Sequence, residues 1–204
     1  MNLRHLKAKS GSPVCDPTIV RKSRYYICYP ELYYHRTFQD LIYANRRHRD
    51  QNWIFNLVIN KSKHESEIIY IENDDWLLCS HPESSSRFLV VFKDLTLHSI
   101  RDLRQKHIKI LEDLKCNLNA FIRDRFFSSR RRIKMFFHYL PSVFQLHMHV
   151  SFELTGDPVR VHSLQSVIVR LKKDDLWFHE ALILCPLRRM LTHLHLDCIE
   201  VETH

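Results

Sequence analysis

Apolar positions along this chain recur with two different periods. Ser66–Glu72 (SEIIYIE), Trp76–Ser80 (WLLCS) and Arg87–Lys93 (RFLVVFK) are short and rich in aromatic and branched residues. Asn73-Asp74-Asp75 and Pro82–Ser86 separate them, so the pattern predicts three consecutive strands joined by turns. Beyond them Ile108, Leu111, Leu114, Leu118, Phe121 and Ile122 are spaced by threes and fours. That spacing predicts a long helix over 103–126, with Ser99 or Asp102 as its cap. A less regular helical pattern runs over 37–58 through Phe38, Leu41, Ile42, Trp53, Phe55 and Leu57. Arg132–Tyr139 (RIKMFFHY) and Phe144–Phe152 (FQLHMHVSF) read as two more strands about the turn at Leu140-Pro141-Ser142. A helix over 160–173, a weak strand over Ala181–Cys185 and a helical tail complete the body. Residues 1–36 mix Pro13, Pro17 and Pro30 with basic and tyrosine-rich patches and show no period. They read as a basic arm or the remnant of a larger domain. Residues 37–204 read as one α+β body with an antiparallel sheet and a long helix.

Composition narrows the function classes. Of 204 residues, 45% are hydrophobic, enough for a real core. The two glycines, Gly11 and Gly156, exclude a GxxxxGK phosphate loop and a GxGxxG turn. The net charge of +8 is uneven: residues 1–65 hold 12 Lys or Arg against five Asp or Glu. A cationic arm on a near-neutral body suits a polyanionic partner, although a merely solvated surface accounts for the charge equally well. Six cysteines without a CxxC pair fit a reducing compartment, and no apolar run is long enough for a signal peptide or a membrane span.

The candidate chemistry lies in Gln145-Leu-His147-Met-His149-Val. On a strand, positions i, i+2 and i+4 share a face, so Gln145, His147 and His149 project together while Leu146, Met148 and Val150 pack inward. His138, at the end of the preceding strand, joins them across a hairpin. Two imidazoles on one face bind a metal, or one acts as a nucleophile supported by the other; alone, an HxH pair is also compatible with structural histidines. No cysteine or carboxylate lies within a few residues of His147, which argues against a metal and for phosphoryl or nucleotidyl chemistry. His193 and His195 have the same spacing but no strand pattern around them, and read as structural.

His138-Tyr-Leu-Pro-Ser142 followed by the LHMHV strand resembles the histidine-triad (HIT) superfamily, and within it the scavenger mRNA decapping family. Trp53-Ile-Phe-Asn56, Ile69-Tyr-Ile-Glu-Asn73, Ile100-Arg-Asp-Leu103 and Arg160-Val-His162 fall in the family's order, and Pro30-Glu31-Leu32-Tyr33 echoes its hinge. The resemblance covers about residues 50–185 and implies a HIT-like fold with most of an N-terminal domain missing. It also implies hydrolysis of a 7-methylguanosine cap dinucleotide or short capped RNA in mRNA decay, releasing 7-methylguanosine monophosphate. His147 matches the nucleophile. His138, Ser142, Gln145, His149 and Arg160 match phosphate-binding positions. Trp53 matches the residue stacked on the methylated base and Glu65 the carboxylate on its edge. No metal or cofactor is implied. A homodimer is, as is a cytoplasmic location extending to the nucleus; no membrane partner is expected.

The chain departs from the family at several of these positions. Gln145 stands where the first triad histidine is expected, His81-Pro-Glu83 where an Asp-x-Lys pair is, and Val143 where a tyrosine is. Two other readings therefore stand beside the enzyme. One is a catalytically weakened or inactive cap-binding paralogue. The other is a basic RNA-binding protein using Arg46, Arg47, Arg49, Arg130, Arg131 and Arg132, with Tyr25 and Tyr26 for stacking.

Overall fold

A computed structural model describes residues 25–28, 30–34, 36, 39, 40, 42, 43, 53–59, 68–81, 84–126, 133–154 and 156–186. Its centre is a six-stranded antiparallel sheet in the order β2-β3-β4-β6-β5-β7. The strands are β2 (Ile69–Glu72), β3 (Trp76–His81), β4 (Ser84–Phe92), β5 (Lys134–His138), β6 (His147–Ser151) and β7 (Val161–Ser163). The turn between β2 and β3 is set by Asn73, whose Oδ1 accepts from the amides of Asp75 and Trp76, both at 2.9 Å. The α+β class, the antiparallel sheet and the long helix agree with the apolar patterning.

Both faces of the sheet are covered, by different means. On one, Trp76, Leu78, Phe88, Val90, Phe137, Met148 and Val150 are buried. They pack beneath α3 (Ile108–Arg125), through Leu111, Leu114 and Leu118, and α4 (Leu164–Lys173), through Leu164, Val167, Ile168 and Leu171. On the other, Leu77, Cys79, Leu89, Val91 and Val143 lie under Ile54 and Leu57 of α2 (Trp53–Ile59). That second cover is short, and the rest of its face carries histidines.

Several elements differ from the expectation. The long helix starts at Ile108, because residues before it wind into two 3₁₀ turns. Ser99 caps the first of these: its hydroxyl accepts from the Arg101 amide at 3.2 Å, and the Asp102 carboxylate accepts from the Ser99 amide at 2.9 Å. The later helix starts at Leu164, four residues after the expected start at 160, because Val161–Ser163 pairs with β5 and the Ser163 hydroxyl caps α4. Of the helix expected over 37–58, residues 39, 40, 42, 43 and Trp53–Ile59 are described, all of them helical, and the helical tail lies outside the described residues. Within the segment read as an arm, β1 (Tyr25–Cys28) pairs with β8 (Ile183–Pro186), and α1 (Pro30–Tyr34) comes next; Cys28 and Tyr33 are fully buried. Four residues whose partner strand lies more than 150 positions away carry no local period, so a sequence pattern cannot reveal them.

Arg101 joins these distant pieces. It is fully buried; Nε donates to Tyr139 Oη at 2.7 Å and Nη2 to the Cys28 carbonyl at 2.8 Å. Nη1 donates to the carbonyls of Phe178 (3.0 Å) and Ala181 (2.9 Å), just before β8. Phe178 belongs to α5 (Trp177–Glu180). Among the described residues no carboxylate bonds this guanidinium. Its charge is spread over backbone carbonyls and the rings of Tyr33 and Tyr139, 5.6 and 5.1 Å from its centre. No described helix is long and apolar enough to cross a membrane.

His162 on β7 is one acid-sensitive point of the fold. Its Nε2 is buried and finds no hydrogen-bond partner among the described residues. Burial, and then the charges of Arg170 and Arg101, lower its pKa from 6.5 to about 4. The unfolded chain binds a proton here near 6.5 that the folded chain refuses until about 4. The stabilisation is therefore whole above 6.5 and drains as pH falls, by up to about 1.4 kcal/mol per unit. Urea unfolding at pH 7 and pH 5 is expected to show a smaller acid loss in His162→Phe than in the parent chain. An equal loss would place the acid sensitivity elsewhere.

Candidate active site

The face left open beside α2 takes its shape from the register of β6. His147 lies opposite Val91, and His149 lies between Leu89 on β4 and Phe136 on β5. Alternation along β5 puts Phe136 and His138 on this same face. His149 sits at the centre. Its ring lies 4.4 Å from that of His138, 5.4 Å from His147 and 6.1 Å from His81, and it stacks on Phe136 at 5.4 Å and 16°. His138, His147 and His149 are thus brought together as expected. His81, at the end of β3, joins them; in the sequence it stands out only as a departure from the family's acid, and that substitution is the available signal.

His147 is 6% exposed, and its Nδ1 lies 2.8 Å from the Gln145 carbonyl oxygen. A carbonyl only accepts, so Nδ1 carries the hydrogen and Nε2 keeps its lone pair. Burial lowers the His147 pKa; the Gln145 carbonyl opposes this, and the charges of Arg160 and His81 add to it. His149 is lowered strongly, first by burial and then by His147, His138, His81 and Arg160. The face therefore keeps His147 and His149 neutral near pH 7 beside the Arg160 guanidinium, whose charge an anionic group would offset.

The remaining positions divide. Gln145 is fully buried and precedes β6; its Nε2 donates to the carbonyls of Phe92 (2.7 Å) and Asp94 (3.0 Å). Its side chain therefore anchors the chain beside the end of β4, and its main-chain oxygen orients His147. Arg160 is 5% exposed, its Nη2 donating to the Leu140 carbonyl at 2.6 Å. Ser142 is exposed on the segment between β5 and β6. Gly156, absent from the sequence-based site, has φ +82°, and a Cβ there would lie 3.5 Å from both His138 Nε2 and Arg160 Nη1. Its backbone thus borders His138 and Arg160 in a conformation that favours glycine. Trp53 begins α2, the helix that covers this face, and Val143 packs beneath that helix. The Trp53 side chain and Glu65 lie outside the described residues. No group of three or more His, Cys, Asp or Glu among the described residues is arranged to hold a metal ion.

The face thus presents a nearly buried imidazole whose Nε2 keeps its lone pair, beside the Arg160 guanidinium and three further histidines. The family described as scavenger mRNA decapping enzyme C-term binding matches residues 52–157, just over half of the chain, which includes α2, β2–β6 and all four clustered histidines. The chain belongs to that family. Its relatives include the m7GpppX diphosphatase of Schizosaccharomyces pombe, 31% identical over 60% of this chain and 44% of that one. The enzyme of the same name from Ascaris suum is 30% identical over 65% and 48%, and the human one 27% identical over 67% and 44%. This chain thus spans less than half the length of these relatives. Among solved structures, Hnt3 in complex with DNA and guanosine is 13% identical over 71% of this chain and 93% of that one, at a TM-score of 0.43.

Long-range ¹H–¹⁵N spectra test the tautomer directly. At pH 7 the His147 ring is expected to be neutral with its proton on Nδ1, and to stay neutral below the ordinary histidine value near 6.5. A proton on Nε2 at pH 7 would remove the nucleophile.

Proposed function

We propose that this chain hydrolyses the 7-methylguanosine cap dinucleotide, or a short capped oligonucleotide, through a nucleotidyl-histidine at His147. The observation that carries the reading is the Nδ1 contact of a nearly buried His147 with the Gln145 carbonyl, on a face flanked by His138, His149 and Arg160. Family membership and relatives named m7GpppX diphosphatase support the choice of substrate.

In the first step His147 Nε2 attacks the phosphorus attached to the 5′ oxygen of 7-methylguanosine. The bond from that phosphorus to the bridging oxygen breaks, and the rest of the substrate leaves as a nucleoside diphosphate. The positive charge that develops on the imidazole is stabilised by the Gln145 carbonyl through Nδ1–H. His138 and Arg160 offset negative charge on the phosphoryl oxygens. Water then attacks the same phosphorus, the N–P bond breaks, and 7-methylguanosine monophosphate leaves with His147 restored. Methylation makes the base cationic, and Trp53, at the start of the covering helix, is our candidate for stacking on it, a contact of about 0.5–2 kcal/mol. Glu65 is our candidate for the base edge. The proposed setting is the cytoplasm and nucleus, and the proposed assembly a homodimer.

Turnover of 7-methylguanosine-triphosphate-guanosine in the presence of EDTA tests this reading. Release of 7-methylguanosine monophosphate is expected, with a fall of more than about 10³-fold in His147→Ala. Binding of the dinucleotide without release would instead make the chain a cap-binding pseudoenzyme, a reading favoured by the commitment of the Gln145 amide to the backbone. Equal, salt-sensitive affinity for unmethylated RNA would leave the basic RNA-binding reading in its place.

A further inference from the structure

Arg101 touches none of the clustered histidines, yet its contacts lead to them in one step. Nε donates to Tyr139 Oη at 2.7 Å, and Tyr139 directly follows His138. The Tyr139 amide donates to the Arg160 carbonyl at 2.9 Å, while Arg160 Nη2 donates to the Leu140 carbonyl at 2.6 Å. The end of β5 is thus tied to Arg160 through its backbone on one side and to Arg101 through a phenol on the other. Between these ties stands His138, 4.4 Å ring to ring from His149. Burial pushes the Tyr139 hydroxyl well above the usual phenol range, so it keeps its proton. The hydroxyl also lies 3.2 Å from Cys28 Sγ, a second hydrogen bond beside the one from Arg101. Hydrogen bonding from Cys185, opposed by burial and aided by Tyr139 and Arg101, holds the Cys28 thiol below its ordinary range. The phenol is therefore held by Arg101 on one side and Cys28 on the other, which leaves its ring one orientation.

We propose that Arg101, acting through the Tyr139 hydroxyl, is a positioning residue that sets His138 and Arg160 at the spacing a phosphate requires. The consequence reaches further along the chain. Arg101 also binds the carbonyls of Cys28 on β1 and of Phe178 and Ala181 before β8, so the placement of the phosphate-facing groups depends on segments at both ends of the described residues. The proposal rests on reading the histidine face as a phosphate site, and its test separates the two.

Tyr139→Phe removes only the hydroxyl and keeps the ring in the core; Arg101→Lys keeps the charge and loses the fork. Affinities are measured for 7-methylguanosine 5′-monophosphate and for 7-methylguanosine, with imidazole ¹H–¹⁵N spectra and a thermal midpoint for each variant. Both variants are expected to bind the monophosphate about fivefold or more weakly and the nucleoside unchanged. The His138 and His149 resonances are expected to move. Equal weakening of both ligands in step with a lowered midpoint would show general loosening and overturn the proposal. Unchanged monophosphate affinity with unmoved resonances would overturn it too. If the parent chain binds neither ligand, the cap reading fails by itself, and the resonances alone decide whether Tyr139 positions His138.

Discussion

The hydrogen bond from His147 Nδ1 to the Gln145 carbonyl, two residues back on the same chain, is the contact on which the site depends. An imidazole has two nitrogens, and in a nearly water-free position whichever loses its hydrogen becomes the reactive one. The backbone settles that choice without a carboxylate. It does so only because Gln145 is itself immobilised, its amide bound to the carbonyls of Phe92 and Asp94 where β4 ends. The Gln145 side chain is the bracket for the carbonyl that aims His147.

The sheet supplies the rest through asymmetry. One face is sealed by two helices and carries most of the core; the other is half covered by α2 and half furnished with imidazoles. Alternation along β5 and β6 sends Phe137, Met148 and Val150 to the sealed face and His138, His147 and His149 to the open one, so packing energy and reactive placement come from the same register. A slip of one residue would exchange them. Arg101 works at a larger scale, where a single buried guanidinium collects acceptors from β1, α5 and the residue after β5. Removing such a charge's partners leaves it uncompensated, so these segments hold together or come apart together.

Local features are the ones legible in the sequence. Strands β2–β4 and the helix through Leu111, Leu114 and Leu118 announce themselves within a window of a few residues, and so does the shared face of His147 and His149. The anchoring of Gln145 is not legible there, because the carbonyls its amide binds, those of Phe92 and Asp94, lie far away in the sequence. β1 is invisible because its partner is β8, and β7 because pairing with β5 overrides a run that otherwise suits a helix. Gly156 reaches the site through tertiary structure alone, from a loop with positive φ, and His81, which shows in the sequence only as a departure from the family's acid, comes in from a neighbouring strand end. Arg101 reads as an ordinary basic residue next to an acid until its burial is seen.

The central claim, that His147 attacks phosphorus, is most directly tested by trapping the intermediate. The protein is mixed with 7-methylguanosine-triphosphate-guanosine, quenched in alkali within a turnover, digested and sequenced by mass spectrometry. The account predicts a peptide carrying 7-methylguanosine monophosphate on His147 and none on His149 or His138. Release of the monophosphate with no adduct, or an adduct on another residue, would contradict it.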